Sequence, residues 1–324
     1  MNIKSISGCW FLTGPTASGK TGLGVELAQQ IHAEIISLDS MAVYRGMDIG
    51  TAKPTPQQRL AVPHHLLDIL EPHEEYSLAQ YLAAACRAAD EIRVRGMDVA
   101  FVGGTPLYLK GALRGIFEGP PADREFRHAR LAEIDRHGLS YLHQRLAAVD
   151  PVTAARLHPN DARRIIRALE VLEKTGRPIS QWQQQFAVGR PARQCRVFVL
   201  DWPRDELYAR IEQRVDLMFQ AGLVEEVREL LFGTNSPSRT AIQAVGYREV
   251  FEHLRGEHSL PHTIDLVKLH TRQLAKRQLT WFRSMSECRF VSVSGFFDER
   301  RLARRIADEG TAVAAERGDE TAEP

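Results

Sequence analysis

Cysteine is scarce in this chain of 324 residues, and badly spaced for chemistry. Cys9, Cys86, Cys195 and Cys288 form no C-x-x-C pair and no zinc-finger spacing, which argues against a disulfide scaffold and a thiolate metal site. They read as reduced, mostly buried thiols of a cytoplasmic protein. No apolar run approaches the roughly 20 residues of a membrane span, so no membrane partner is expected. The apolar stretch CWFLTG (9–14) is too short for a signal peptide. Charge of one sign is also missing: 42 Lys+Arg against 41 Asp+Glu leave a net charge of +1, which names no partner. Lysine itself is rare, seven of those 42. Arginine suits bidentate phosphate binding, but a GC-rich genome would give the same total, so only arginine clusters inform. With 44% hydrophobic and 26% charged residues, the composition is that of a globular chain, long enough for one large domain or two modest ones.

Apolar runs alternate with helical periodicity through the first third. Cys9–Thr13, Glu34–Leu38, His65–Leu70 and Asp98–Val102 read as strands. Ser77 and Gln80 form a capping box for a helix that Gly96 closes. This alternation predicts an α/β fold, a parallel sheet flanked by helices on both faces. From about Pro120 no strand is evident. Helices are expected over Asp123–His137, Ser140–Val149 and Pro159–Thr175, before a strand at Arg196–Asp201. The segment 121–194 therefore reads as an all-helical insertion in a discontinuous core made of 1–120 and 195–308. Later helices are expected at Asp205–Ala221, Val224–Phe232 and Leu266–Arg283. The small, polar and acidic stretch 309–324 reads as a disordered tail.

Gly14, Pro15, Thr16, Ala17, Ser18, Gly19, Lys20 and Thr21 spell G-x-x-x-x-G-K-[ST] between an expected strand and an expected helix. Such a loop turns backbone N–H groups and a helix N-terminus toward phosphates. Lys20 adds a point charge, and Thr21 can hold a water-coordinated Mg²⁺. A nucleotide hydrolase of the same fold would add a strand ending in an acidic pair. Here DVAFV runs into Gly103–Gly104–Thr105, and no core strand ends in such a pair. The interesting carboxylate is Asp39, at the end of EIISL. It either caps the next turn or serves as general base for a group attacking near the bound phosphates. Thr105 either caps a helix that Pro106 begins or offers its hydroxyl to a leaving oxygen.

Two helices carry clustered arginine or lysine. Arg163 and Arg167 share one face of the segment 158–171, with Ile165, Ile166 and Leu169 on the other. Lys268, Arg272, Lys276, Arg277 and Arg283 run with no acid among them, interleaved with Gln278, Trp281 and Phe282. This is either a solvated face or a polyanion surface.

GPTASGKT (14–21), SLDSMAVYRGMDIGTAKP (37–54), GGTPLYLK (103–110), HPNDARRIIRALEV (158–171), AVGYRE (244–249) and TRQLAKRQLTWFR (271–283) together resemble the tRNA dimethylallyltransferase family, in order from residue 9 to about 290. The resemblance implies a P-loop NTPase-like core. It also implies transfer of the dimethylallyl group of dimethylallyl diphosphate to N6 of adenosine 37 of tRNA, with Mg²⁺ required and diphosphate released. Asp39 would then take the N6 proton, Thr105 would contact the bridging oxygen or the nucleotide, and Lys20 with Thr21-bound Mg²⁺ would hold the diphosphate. Arg214 is assigned to the diphosphate by position alone. The matching motifs carry over tRNA contacts at Asp39, Ser40, Met41, Ala42 and Thr105. Others fall in the insertion at Arg163, Arg164, Ile165, Ile166 and Arg167, with Arg127 added to grip the anticodon loop. More fall at Gln243, Ala244, Val245, Gly246, Tyr247 and Arg248, and at Lys276, Arg277, Gln278, Trp281 and Arg283. A monomer is expected. Two residues depart from the family pattern: Ala42 where Gln is usual, which puts one base contact in doubt, and Pro106 in place of a glycine. Two rivals remain at this point. One is an adenylate isopentenyltransferase acting on free AMP. The other is a P-loop metabolite kinase, which would bind ATP tightly.

Overall fold

The computed structural model describes residues 4–6, 8–116, 119–182, 189–233 and 236–320, with side chains through Val313. Its centre is β1 (Trp10–Thr13), four buried residues that lead through the glycine-rich loop into α1 (Lys20–Gln30). β2 (Ala33–Ser37), the short α2 (Pro56–Ala61) and β3 (His64–His65) follow. Next come α3 (Leu78–Val94), β4 (Asp98–Gly103) and α4 (Pro106–Arg114). The capping box of α3 is formed as read from sequence: Ser77 Oγ accepts from the Gln80 N–H, and Gln80 Oε1 from the Ser77 N–H. Gly96 takes the left-handed conformation just past its end.

The chain divides into two compact units. One, Arg114–Val188, holds helices and no strand among its described residues. It holds α5 (Arg124–His137), α6 (Leu139–Val149), α7 (Pro151–Arg156), α8 (Ala162–Thr175) and α9 (Ile179–Trp182). It begins and ends six or seven residues earlier than composition suggests. Helix α8 starts at Ala162 rather than Pro159, because the Asp161 carboxylate accepts from the Arg164 N–H as an N-cap. Helix α7 was not legible, although Asp150 caps it and Pro151 opens it. Leu142, Leu146, Ile165, Ile166 and Leu169 form this unit's own core.

The other unit takes up the rest of the chain. It resumes with β5 (Val197–Asp201), α10 (Arg204–Gln220), α11 (Leu223–Phe232), α12 (Arg239–Ile242) and α13 (Tyr247–Leu254). α14 (Leu260–Arg283), β6 (Arg289–Ser292) and α15 (Glu299–Glu320) complete it. Its sheet runs β3-β2-β4-β1-β5-β6, parallel at every pairing. Successive side chains of β1 point to opposite faces. Trp10 and Leu12 join the cluster that α1, α10, α14 and α15 complete. Phe11 stacks on Phe101 at 4.7 Å between ring centroids.

Two expectations fail here, for local reasons. The strand expected over His65–Leu70 ends at His65. Leu66 and Asp68 take φ of 60° and 54°, left-handed values that a strand ladder does not accommodate. The stretch from 309 is not a loose tail over its described part, since α15 runs to Glu320. Leu302, Ala303, Ile306 and Val313 are buried along it. Gly310 lies so close to the Trp10 indole that a Cβ there would come within 2.0 Å of it. Residues 321–324 lie outside the described residues.

Candidate active site

Strand order reverses at β1, whose neighbours β4 and β5 belong to different halves of the chain. Ligands of open parallel sheets bind outside the strand C-termini at such a point, and three loops converge there. β1 delivers Gly14–Thr21, β2 delivers Asp39 and β4 delivers Gly103–Thr105. Buried hydrogen bonds lock the strand ends: Thr13 Oγ1 donates to the Gly103 carbonyl (2.7 Å), and the Thr105 N–H to the Leu38 carbonyl (3.1 Å).

The glycine-rich loop has the geometry of an anion cradle. Gly14, Ala17 and Gly19 take φ of 151°, 63° and 86°. Alanine in the left-handed region costs about 1–2 kcal/mol, so neighbours must hold it there. They do so through its carbonyls. Arg210 Nε donates to the Ala17 carbonyl (3.0 Å), and Trp202 Nε1 to the Ser18 carbonyl (3.0 Å). The Arg210 guanidinium lies 4.3 Å over the Trp202 ring. Lys20 Nζ donates to the Pro15 carbonyl (2.6 Å) and to Ser18 Oγ (3.3 Å). The Thr16 N–H donates to Gln278 Oε1, so this group of the loop already has a side-chain partner.

Thr16, Lys20, Thr21, Asp39, Ala42, Arg214 and Gln278 line one cavity, about 690 Å³ including the solvent at its mouth. It thus gathers residues from four separate stretches, and the assignment of Arg214 by position finds it beside the loop. Burial, then the nearby Arg214 guanidinium, push the Lys20 ammonium down to about 7, while Asp39 opposes that shift. Burial likewise lowers Arg214, again opposed by Asp39. Two cations and one carboxylate therefore face a site with room for an anion. Asp39 does both things its sequence position allows. Its Oδ1 accepts from the N–H groups of Met41 (2.8 Å) and Ala42 (3.2 Å), which fixes the carboxylate and leaves Oδ2 with no protein donor among the described residues. Thr105 Oγ1 accepts from the Ser40 N–H (3.1 Å) and bridges the β2 and β4 loops.

The far wall was missed by sequence reasoning. Thr51, Ala52, Lys53, Pro54, His64 and Leu67 also line the cavity. The Lys53 side chain is 2% exposed and donates to Asp48 (2.6 Å), Asp68 (2.5 Å) and the Tyr44 carbonyl (2.5 Å). Asp68 is held below the usual carboxylate range, its burial outweighed by hydrogen bonds from Lys53 and Arg59. A lysine in an arginine-dominated chain was the available signal.

Other expected contact residues are placed less simply. Lys276 and Arg277 are exposed on α14. Trp281 is partly buried, with Lys110 Nζ 6.0 Å from its ring centroid. Arg283 reaches toward Asp201 (3.4 Å). Gln243 is exposed, but Ala244, Gly246 and Tyr247 are buried, and Val245 partly so. Tyr247 Oη donates to Glu226 (2.5 Å), and Glu226 accepts the N–H groups of Asp48, Ile49 and Gly50. That stretch therefore braces the loop after β2. Arg248 pairs with Glu249 (2.6 Å). In the helical unit, Ile165 and Ile166 are 0% and 5% exposed and belong to its core, which leaves them no surface for RNA. Arg127 and Arg167 hold the fully buried Glu170 carboxylate (2.8 and 2.5 Å). Arg164 pairs with Asp161 (3.0 Å), and Arg163 is exposed.

A family model described as IPP transferase matches residues 42–285. The chain belongs to the IPP transferase family. A second model, isopentenyl transferase, matches residues 7–65, which include the glycine-rich loop and Asp39. The chain is 48% identical to a tRNA dimethylallyltransferase of Geobacter metallireducens, over 88% of this chain and 92% of that protein. Among solved structures, it resembles the tRNA isopentenylpyrophosphate transferase of Bacillus halodurans at 37% identity and a TM-score of 0.69. That match covers 96% of this chain and 99% of the other. It also resembles a eukaryotic dimethylallyltransferase acting on tRNA, at 26% identity and a TM-score of 0.77, covering 95% and 79%. The sheet is P-loop-like, and its β4 ends in Gly103 with no acidic pair.

Proposed function

We propose that this IPP transferase moves the dimethylallyl group of dimethylallyl diphosphate to N6 of adenosine 37 in tRNA. The observation that carries this reading is the joint placement of Asp39 with Lys20, Thr21 and Arg214 around one cavity. A hydrolase would need to activate water against a terminal phosphate. Here the arrangement suits a displacement in which diphosphate leaves and an amine attacks.

The adenine N6 lone pair forms a bond to C1 of the prenyl group as the C1–oxygen bond breaks, and its electron pair departs with the diphosphate. The N6 proton passes to Asp39 Oδ2, while Oδ1 stays fastened to the Met41 and Ala42 N–H groups. N–H groups of residues 17 to 20, with Lys20 and Arg214, stabilise the charge that develops on the leaving oxygens. Thr105 holds the Asp39 turn through the Ser40 N–H. The Thr21 hydroxyl fits Mg²⁺, which keeps most of its waters and takes one or two protein ligands beside phosphate oxygens. When bound, the ion would offset diphosphate charge. The adenosine must leave its stack to reach Asp39, at a cost of a few kcal/mol. Exposed Arg163, Lys276 and Arg277 suit the RNA backbone.

The test is incubation of the purified protein with dimethylallyl diphosphate, Mg²⁺ and unmodified tRNA, read by mass spectrometry of the nucleosides. A dimethylallyl group on the adenosine beside the anticodon, with AMP untouched, is expected. Modification of AMP alone would favour a free-nucleotide acceptor, a reading to which the isopentenyl transferase match over residues 7–65 lends some weight. No prenylation, together with tight ATP binding, would sink both.

A further inference from the structure

We infer that Gln278 is a positioning residue for the diphosphate end of the cavity, and that its carboxamide sets the spacing between the phosphate loop and the β4 loop. The inference rests on the prenyl-transfer reading above.

Gln278 projects from α14 into the cavity and uses both ends of its amide. Its Oε1 accepts the Thr16 N–H at 2.9 Å, and its Nε2 donates to the Gly104 carbonyl at 2.7 Å. These partners are two loops more than eighty residues apart in sequence. One needs an acceptor and the other a donor, and an amide supplies both at one planar end without titrating. The approach is close. A Cβ on Gly104 would come 3.0 Å from Gln278 Nε2 and 3.2 Å from the Gly14 carbonyl oxygen, so a side chain there would press on the amide or on the phosphate loop. The Thr16 N–H is the first donor of the cradle. Its capture by Gln278 leaves the N–H groups of residues 17 to 20 for the phosphates and fixes where the loop begins relative to Thr105. Lys276 and Arg277, just before Gln278 on the same helix, point outward and are exposed. One helix thus presents cations to solvent and steadies the phosphate cradle two residues later.

The experiment compares wild type, Gln278→Met and Gln278→Glu. Binding of inorganic diphosphate with Mg²⁺ is followed by calorimetry, tRNA binding by filter retention, and transfer by steady-state kinetics. Thermal unfolding shows that each variant is folded. For Gln278→Met, which keeps the length and loses both hydrogen bonds, diphosphate affinity is expected to fall about 5- to 30-fold. KM for dimethylallyl diphosphate should rise in parallel, with tRNA affinity unchanged. Gln278→Glu retains the acceptor but faces the Gly104 carbonyl with a second one. Its defect should shrink as pH falls and the carboxyl protonates, because a carboxylic acid again offers one donor and one acceptor. The defect of Gln278→Met has no such pH dependence, so the ratio of the two variants cancels other titrations. A loss of tRNA affinity with diphosphate binding intact would make Gln278 an RNA contact and overturn the inference. So would wild-type diphosphate affinity in both variants. Failure of the wild type to transfer at all would count instead against the prenyl-transfer reading, and diphosphate binding would still decide the role of Gln278.

Discussion

Asp39 and Lys20 were legible as single residues because each stands at a fixed offset from a strand end, where the fold puts chemistry. Replacing Asp39 with alanine removes the proposed base and the turn anchor together. The single-turnover rate should drop about 10²- to 10⁴-fold, and a near-normal rate would remove Asp39 from the mechanism. Asp39→Asn keeps the acceptor for Met41 and Ala42 and so isolates proton transfer. Lys20 makes a second, pH-dependent prediction. With the free-state ammonium pushed down to about 7 by burial and by Arg214, an anion that prefers the charged form must bring a proton with it at higher pH. Affinity for dimethylallyl diphosphate should therefore be full below pH 7 and fall about tenfold per pH unit above it, until the bound-state value is reached. Calorimetry at pH 8 in buffers of different ionisation enthalpy should register uptake of about one proton. The same shift acts on folding with the opposite trend. Between about 7 and the ordinary lysine value the unfolded chain binds more protons, so Lys20 adds stability as pH rises through that window. Lys53 was not legible, because its partners Asp48 and Asp68 meet it only through the left-handed turns at Ala52 and Asp68.

On the scale of elements, periodicity located most helices within a few residues but misjudged what their charges do. The run from Lys268 to Arg283 holds no acid of its own, yet α10 supplies Asp216 to Lys268 (2.7 Å) and Glu212 to Arg272 (2.6 Å). Those pairings depend on how two distant helices pack, which no local pattern records. Only the later cations remain for a polyanion. Lys276→Ala with Arg277→Ala should lower the slope of log K against log salt for tRNA binding by about 1.4–1.8, near one counterion per lost phosphate contact. Lys268→Ala with Arg272→Ala should leave that slope nearly unchanged. Titrations from 50 to 300 mM salt would separate the two pairs. Helix α15 was misread for a related reason. The small, acidic stretch from 309 hid that the helix of Leu302 and Ile306 continues through it to bury Val313; each of the three contributes about 1.5–3 kcal/mol on burial. Truncation after residue 298 should therefore lower the denaturant midpoint of the sheet unit strongly.

At the level of the whole molecule, the division into two units was legible as a loss of strand signal near Pro120 and its return near Arg196. The exact limits were not, since Gly and Pro near the joints give no sharp break. Each unit has its own core, so urea unfolding should show two transitions, of which diphosphate with Mg²⁺ raises only that of the sheet unit. Glu170→Ala should lower the other by about 1–3 kcal/mol, because the Asp123 N–H loses its acceptor. The placement of the helical unit between β4 and β5 has a consequence for the nascent chain. Strand β1 finds β4 on one side early, but its other edge stays unpaired until the whole of Arg114–Val188 and then β5 have left the ribosome. Trp202 and Arg210, which hold the carbonyls of the phosphate loop, are made after β5. The loop is thus synthesised long before the residues that support it. A ribosome-bound intermediate ending near residue 190 should accordingly leave diphosphate in solution and expose β1 as a ready edge for chaperone or misfolded partner alike.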